Sequence, residues 1–322
     1  MNIDAIHKAL QYAAKQKHIL SANVEAFEAI RLLNSEASGT PGLVFELYGK
    51  HGVAYDYGID IGQELQGVAA DWLKEFKWKS IVLLDRTRPG EEGRVDSVVA
   101  AGTAPEKMEV REGSLRFLVE PQHPRNVGLF LDTRELRTWL RENSSQTRVL
   151  NLFSYTCSLG LAALAGGAEE VVNVDISQRY LDWGRENLQL NGLPEEKCRF
   201  MRMDSERYLD WAAKKNHTFD QIILDPPVFS RFEKKTFRFT EDYFRLVSKS
   251  AMLLSPGGTL HAVTNYSGIN AFEFEERLQE AVTSMGRYIQ SIRQLPLPPD
   301  FDIAADTEER VEGNAMIFQV KV

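Results

Sequence analysis

The chain has 322 residues, of which 43% are apolar and 26% charged, and a formal net charge of −8. That composition excludes a disordered chain and leaves room for two domains with cores of their own. The acidic balance argues against avid, nonspecific nucleic-acid binding but not against a local basic patch, because binding follows where charge sits rather than its sum. From the start, residues 1–22 read as a helical extension. The opening MNIDAIHKALQYAAKQK lacks the apolar core of a signal peptide, and no later run approaches the roughly 20 apolar residues that span a bilayer, so the cytoplasm is the expected location.

Residues 23–120 are predicted to form a small α+β domain. Leu43–Tyr48 and Gly52–Tyr57 are β-rich, an amphipathic stretch follows over Ile61–Phe76, Pro89–Gly93 is a loop, and a second hairpin falls near Met108–Val119. The boundary is placed at Pro121–Pro124, and residues 121–322 change pattern. There, Arg148–Phe153, Glu170–Asp175, Arg199–Asp204, Gln221–Asp225 and Thr259–Thr264 are short apolar or β-rich runs separated by helical patterns. This alternation predicts βαβ units and a parallel sheet with helices on both faces. A last pair, around Arg293–Leu297 and Asn314–Val322, can close the sheet as a hairpin after a helix near Phe272–Ser284.

In an open α/β sheet, ligands lie outside the carboxyl ends of the strands, so the residues that end each run belong together. Strand one ends in Phe153-Ser154-Tyr155-Thr156-Cys157-Ser158-Leu159-Gly160, strand two in Asp175, strand three in Asp204 and strand four in Asp225-Pro226-Pro227-Val228-Phe229-Ser230. Asp175 can bond vicinal hydroxyls, and Asp204 can accept an amino proton. Each could instead cap the helix that follows. The two prolines fix φ and remove two N–H donors, which leaves stiff carbonyls to accept from an amino or ring N–H, with Phe229 to stack on a planar group. The alternative is a Pro-Pro strand terminator followed by a core Phe. The first loop has one glycine where a dinucleotide fingerprint has three, which counts against a nicotinamide enzyme.

Three ordered motifs, Asn126–Arg137, Val149–Thr156 and Asp225–Phe229, resemble the bacterial large-subunit rRNA methyltransferase family that includes the cytosine-5 enzyme, and the guanine-N7 methyltransferase domain related to it. The similarity runs from about Arg31 to Val322, since Arg31–Glu36 with Pro41–Leu43 resembles the start of the family's central domain. The resemblance implies an α/β, class I (Rossmann-like) methyltransferase domain with a mostly parallel seven-stranded sheet, preceded by the small α+β domain. It further implies S-adenosylmethionine as cofactor, held by Phe153, Ser154, Tyr155 and Thr156 toward its methionine end, by Asp175 at the ribose, and by Asp204 and Asp225. It places Asp225, Pro226 and Phe229 at the reacting group and makes RNA, specifically rRNA, the expected partner. The residues before Arg31 are expected to be too few for the family's usual N-terminal PUA domain.

The sequence departs from the family where chemistry is decided. A cysteine in the strand-five loop attacks the base in the cytosine-5 enzymes, but that loop here reads Thr264-Asn265-Tyr266-Ser267-Gly268, with Tyr266 at the thiol position. A phenol cannot replace a thiol at neutral pH. Cys157 stands in place of a family glycine in the cofactor loop and Cys198 begins strand three, so neither is expected to be a nucleophile, and two cysteines supply neither a disulfide framework nor a zinc site. Asn126 stands where the family commonly has a lysine, with Arg125 beside it. Asp132 and Glu135 match a capping box. Arg134 and Arg137 could bind phosphate or form a solvated helix face. Arg231-Phe232-Glu233-Lys234-Lys235-Thr236-Phe237-Arg238-Phe239 interleaves cations and rings as a nucleic-acid lip would, or is a charged loop with core-anchoring Phe residues. Arg231, Lys234, Lys235, Arg238, Asn265 and Tyr266 are the candidate substrate contacts. A methyltransferase acting on a small molecule or protein, and a cofactor-binding assembly factor without turnover, are the alternatives.

Overall fold

The computed structural model describes residues 2–22, 27–86, 97–232, 235–301 and 314–322, with side chains except those of residues 16–22, 229–232 and 235–236. The chain divides into two compact units, Met1–Leu131 with Pro298–Val311, and Asp132–Leu297 with Glu312–Val322.

The first unit comprises α1 (Ile3–Ala22), β1 (Ala29–Asn34), β2 (Leu43–Tyr48), β3 (His51–Asp56), α2 (Gly62–Phe76), β4 (Ser80–Asp85), β5 (Ser97–Gly102), β6 (Met108–Glu112) and β7 (Leu115–Val119). Strands β1 to β5 form a sheet in chain order, antiparallel except for the parallel pair β3–β4. A parallel pair needs a long crossover, and α2 supplies it. The amphipathic pattern of α2 is realised: Leu65, Ala69 and Trp72 pack with Leu32, Phe45 and Ile81 of the sheet and with Ile6 and Leu10 of α1. Arg31, at the head of the first family-like segment, is buried. It pairs with Glu46 at 2.7 Å and lies 4.1 Å from the Phe301 ring centroid. The predicted hairpin at Met108–Val119 is β6–β7, and the predicted loop at Pro89–Gly93 lies outside the described residues.

The second unit comprises α3 (Arg134–Asn143), β8 (Arg148–Leu152), α4 (Ser158–Ala165), β9 (Glu170–Asp175), α5 (Gln178–Leu190), β10 (Cys198–Arg202), α6 (Ser205–Lys214), β11 (Phe219–Leu224), β12 (Phe229–Phe232), β13 (Lys235–Arg238), α7 (Phe239–Leu253), β14 (Leu254–Thr264), α8 (Ala271–Thr283), β15 (Ser291–Leu295) and β16 (Met316–Lys321). Its seven-stranded sheet has the order β10-β9-β8-β11-β14-β16-β15, with the first five strands parallel and β16 antiparallel to both neighbours. Parallel strands covered on both faces are apolar nearly throughout, and Leu150, Leu152, Ile222, Ile223 and Leu224 are fully buried. The closing pair forms as predicted, with the last strand inserted between β14 and β15. Because the first five strands run the same way, the ends of β8, β9, β10, β11 and β14 all emerge on one edge of the sheet.

Two readings of the segment before β8 are corrected. The N-cap of α3 is Thr133, whose side chain makes no capping bond, and a carboxylate oxygen of Asp132 accepts from the Ala315 N–H at 2.9 Å. Arg134 and Arg137 are 3% and 1% exposed, so neither forms a solvated face or reaches outward to phosphate, and Arg137 donates to the Thr133 hydroxyl at 2.7 Å. Periodicity assigns arginine to the surface by default. Only the packing of α3 reveals otherwise.

Candidate active site

The loop after β8 is held in a costly conformation. Phe153, Tyr155 and Cys157 have φ of 56°, 47° and 64°, three non-glycine residues in the left-handed region within five positions. Each costs on the order of 1–2 kcal/mol, so the surroundings must impose it. Phe153 N–H donates to the Ser205 hydroxyl at 3.3 Å, Ser154 N–H to the Val174 carbonyl at 3.0 Å, and Tyr155 N–H to Asp175 Oδ2 at 2.9 Å. The Thr156 carbonyl accepts from Asn187 at 3.2 Å. Strain of this kind gathers where ligands are held, and the residue types at Phe153 and Tyr155 give no sign of it; only Cys157, in place of a family glycine, hinted at it.

Asp175 ends β9 with both oxygens engaged: Oδ2 takes the Tyr155 N–H and Oδ1 the Ser177 N–H at 2.8 Å. Burial raises its carboxyl above the ordinary value, and the backbone donors of Ser177, Tyr155 and Ile176 oppose that. Each oxygen accepts more than one hydrogen bond, so the group that orders the loop keeps capacity for a hydroxyl. Asp204 takes up its capping role: it is the N-cap of α6 and accepts from Arg207 N–H at 3.0 Å.

Asp225, just past β11, differs from both. Its carboxylate accepts no hydrogen bond from the described residues, and burial, then the nearby Asp132 carboxylate, push it up to about 7. A partly exposed acid without donors is a group waiting for one. Pro226 is buried, whereas Pro227 and Val228 are exposed. The Val228 carbonyl accepts from Phe239 N–H at 3.0 Å, which ties the Asp-Pro-Pro loop to the start of α7. The Phe229 side chain lies outside the described residues.

Two aromatic pairs lie among the strand-end segments. The Phe153 and Phe237 centroids are 5.6 Å apart, and those of Phe239 and Tyr266 4.8 Å apart. Phe237 and Phe239 are buried, so within the basic run these rings serve as core anchors. Within the run, β12 and β13 pair antiparallel, and Phe239 begins α7. Arg238 is solvent-facing and pairs with Glu241 at 3.4 Å; Lys234 and the side chains of Arg231 and Lys235 lie outside the described residues. At the end of β14, Asn265 is exposed and Tyr266 half-buried, its N–H donating to the Thr264 hydroxyl at 3.1 Å.

Both cysteines are free and buried. Burial pushes the Cys157 thiol well up, and that of Cys198 up to about 12. Cys157 is wedged against Gly184, where a Cβ would lie 2.5 Å from its sulfur, and Cys198 begins β10, at the end of the strand away from Asp175 and Asp225. Among the described residues no group of three or more His, Cys, Asp or Glu could hold a metal ion, and no helix is long and apolar enough to cross a membrane.

A parallel sheet closed by an inserted antiparallel strand, with a strained first loop and carboxylates at successive strand ends, defines a class I methyltransferase. Residues 63–311 match the family of S-adenosylmethionine-dependent methyltransferases, and the chain belongs to that family. It is 30% identical to the ribosomal RNA large subunit methyltransferase I of Aeromonas salmonicida, over 94% of this chain and 77% of that protein. To the protein of the same name from Escherichia coli O139:H28 it is 28% identical, over 96% of this chain and 78% of the relative. Among solved structures, SMU.776, described as a methyltransferase and crystallised with S-adenosylhomocysteine, superposes with a TM-score of 0.88 and 26% identity, covering 100% of this chain and 82% of that one. The protein is therefore an S-adenosylmethionine-dependent methyltransferase.

Proposed function

We propose that this enzyme methylates a nitrogen of a nucleobase in ribosomal RNA, and that it does so without a covalent cysteine intermediate. The observation that carries the reading is Asp225, a carboxylate raised to about 7 that accepts no hydrogen bond from the described residues and ends the strand at the Asp-Pro-Pro loop. An exocyclic amine presents the N–H that such an acid lacks. Accepting it draws the amine lone pair out of conjugation, and Asp225 then takes the proton that the methylated nitrogen releases. The relatives named for ribosomal RNA support RNA as the substrate. The absence of a cysteine at position 266 and the burial of both thiols support noncovalent chemistry.

The residues fit the cofactor: the strained Phe153–Cys157 loop would hold its methionine end, and Asp175, with acceptor capacity left, would hold its ribose hydroxyls. Asp204, committed to capping α6, is the weaker adenine partner. Bound S-adenosylmethionine supplies an electrophilic methyl group. The protein's own task is geometric: to hold the acceptor nitrogen in line, exclude water and keep Asp225 able to take a proton. Phe229 and Asn265 serve as stacking and edge contacts for a base extruded from its stack.

The test is incorporation of labelled methyl into rRNA from a strain lacking the gene, followed by mass spectrometry of the nucleosides. An N-methylated base is expected. C5-methylcytosine would refute the noncovalent nitrogen chemistry. Labelling of a metabolite or peptide and not of RNA would favour the second reading, to which the net charge of −8 lends weight.

A further inference from the structure

Gly268 is exposed and needs no left-handed backbone, so neither burial nor φ demands a glycine there. What demands it is Tyr266. A Cβ at position 268 would lie 2.3 Å from the Tyr266 hydroxyl oxygen, 2.4 Å from Cζ and 2.7 Å from Cε1. The ring therefore folds back across the bare α-carbon two residues on. The ring also packs on Phe239, 4.8 Å away between centroids and inclined at 33°. Phe239 is itself held in the core: it is 2% exposed, packs against Tyr243 at 4.6 Å, and donates its N–H to the Val228 carbonyl at the end of the Asp-Pro-Pro loop. Tyr266, Phe239 and the loop bearing Asp225 thus form one connected wall.

We propose that Tyr266, pinned between Phe239 and the bare α-carbon of Gly268, is a specificity-determining wall of the target pocket, and that Gly268 is the positioning residue that keeps the ring in place. This rests on the reading of the substrate as a nucleobase. The flat ring sets how the planar acceptor lies against Asp225. The tyrosine contributes shape, not its hydroxyl. The clash at 268 falls on the far end of the Tyr266 side chain and not on backbone, so Gly268→Ala is met by displacement of the ring.

The experiment is a double-mutant cycle of Gly268→Ala and Tyr266→Ala, with Tyr266→Phe as the conservative control. It is read as kcat and KM for an rRNA fragment, with S-adenosylmethionine affinity measured by calorimetry. Gly268→Ala and Tyr266→Ala should each lower kcat/KM for RNA by about tenfold or more, roughly 1.4 kcal/mol, with cofactor affinity within twofold. Tyr266→Phe should stay within about threefold of wild type. In the Tyr266→Ala background, adding Gly268→Ala should cost nothing further, because the ring it displaces is gone. Additive losses, or wild-type kcat/KM in Tyr266→Ala, would overturn the proposal while leaving base methylation standing. A wild-type enzyme inert on RNA would overturn both.

Discussion

Replacing Asp225 with Asn tests the central group directly, because the change keeps shape and removes charge. An ordinary aspartate titrates near 3.8, and burial with the Asp132 carboxylate nearby moves Asp225 to about 7. The folded state thus binds this proton more tightly than the unfolded state does. Below about pH 4 both states hold it, and the site contributes no pH dependence. Between about pH 4 and 7 only the folded state holds it, so stability falls as pH rises, by at most about 1.4 kcal/mol per pH unit. Above 7 the full penalty is in place, with a ceiling of roughly 4 kcal/mol; the residue's partial exposure puts the expected value at about 1–3 kcal/mol. Asp225→Asn should therefore match wild type in urea denaturation at pH 4.5 and exceed it increasingly up to pH 7.5, while losing methyl transfer. Equal stability at both pH values would refute the account of Asp225 as a desolvated, unpartnered acid.

Because Asp225 must be ionised to take a proton, kcat/KM should rise with pH through an apparent pKa near 7, and a pH–rate profile without that limb would remove it from the chemistry. Asp175→Ala deletes the acceptor of the Tyr155 and Ser177 N–H groups along with the proposed ribose contact. Cofactor affinity should fall by roughly 2–4 kcal/mol in calorimetry, and unchanged affinity would mean the ribose site lies elsewhere. The Cys157→Ser, Cys198→Ser double variant should keep methyl transfer within about tenfold, whereas a stable adduct with a fluorinated cytosine substrate would overturn the noncovalent assignment. Replacing Arg231, Lys234, Lys235 and Arg238 with Ser should leave cofactor affinity intact and reduce the salt dependence of RNA binding by up to roughly four counterions. Equal slopes in titrations at several salt concentrations would take the hairpin out of the RNA interface.

The sequence by itself determined the sheet and the edge of it at which the candidate site is sought. Runs such as Val149–Leu152, apolar but for Asn151, and Ile222–Leu224 suit parallel strands covered on both faces, and in such a sheet the residue after each run lies at the ligand edge. The Pro226-Pro227 pair and a tyrosine, not a cysteine, at position 266 are likewise matters of residue identity, legible before any fold. What only the tertiary structure decided is how neighbours share their atoms. Arg134 and Arg137 are buried although their pattern reads as surface, Asp204 is committed to a helix cap, and Asp132 reaches the Ala315 N–H across 183 positions of sequence. The left-handed turns at Phe153, Tyr155 and Cys157, and the steric need for glycine at 268, likewise follow from contacts rather than propensity. Local pattern encodes which face a residue prefers, but the charge state of Asp225 and the pose of Tyr266 depend on desolvation and contact between segments far apart in the chain, and those arise only when the fold closes.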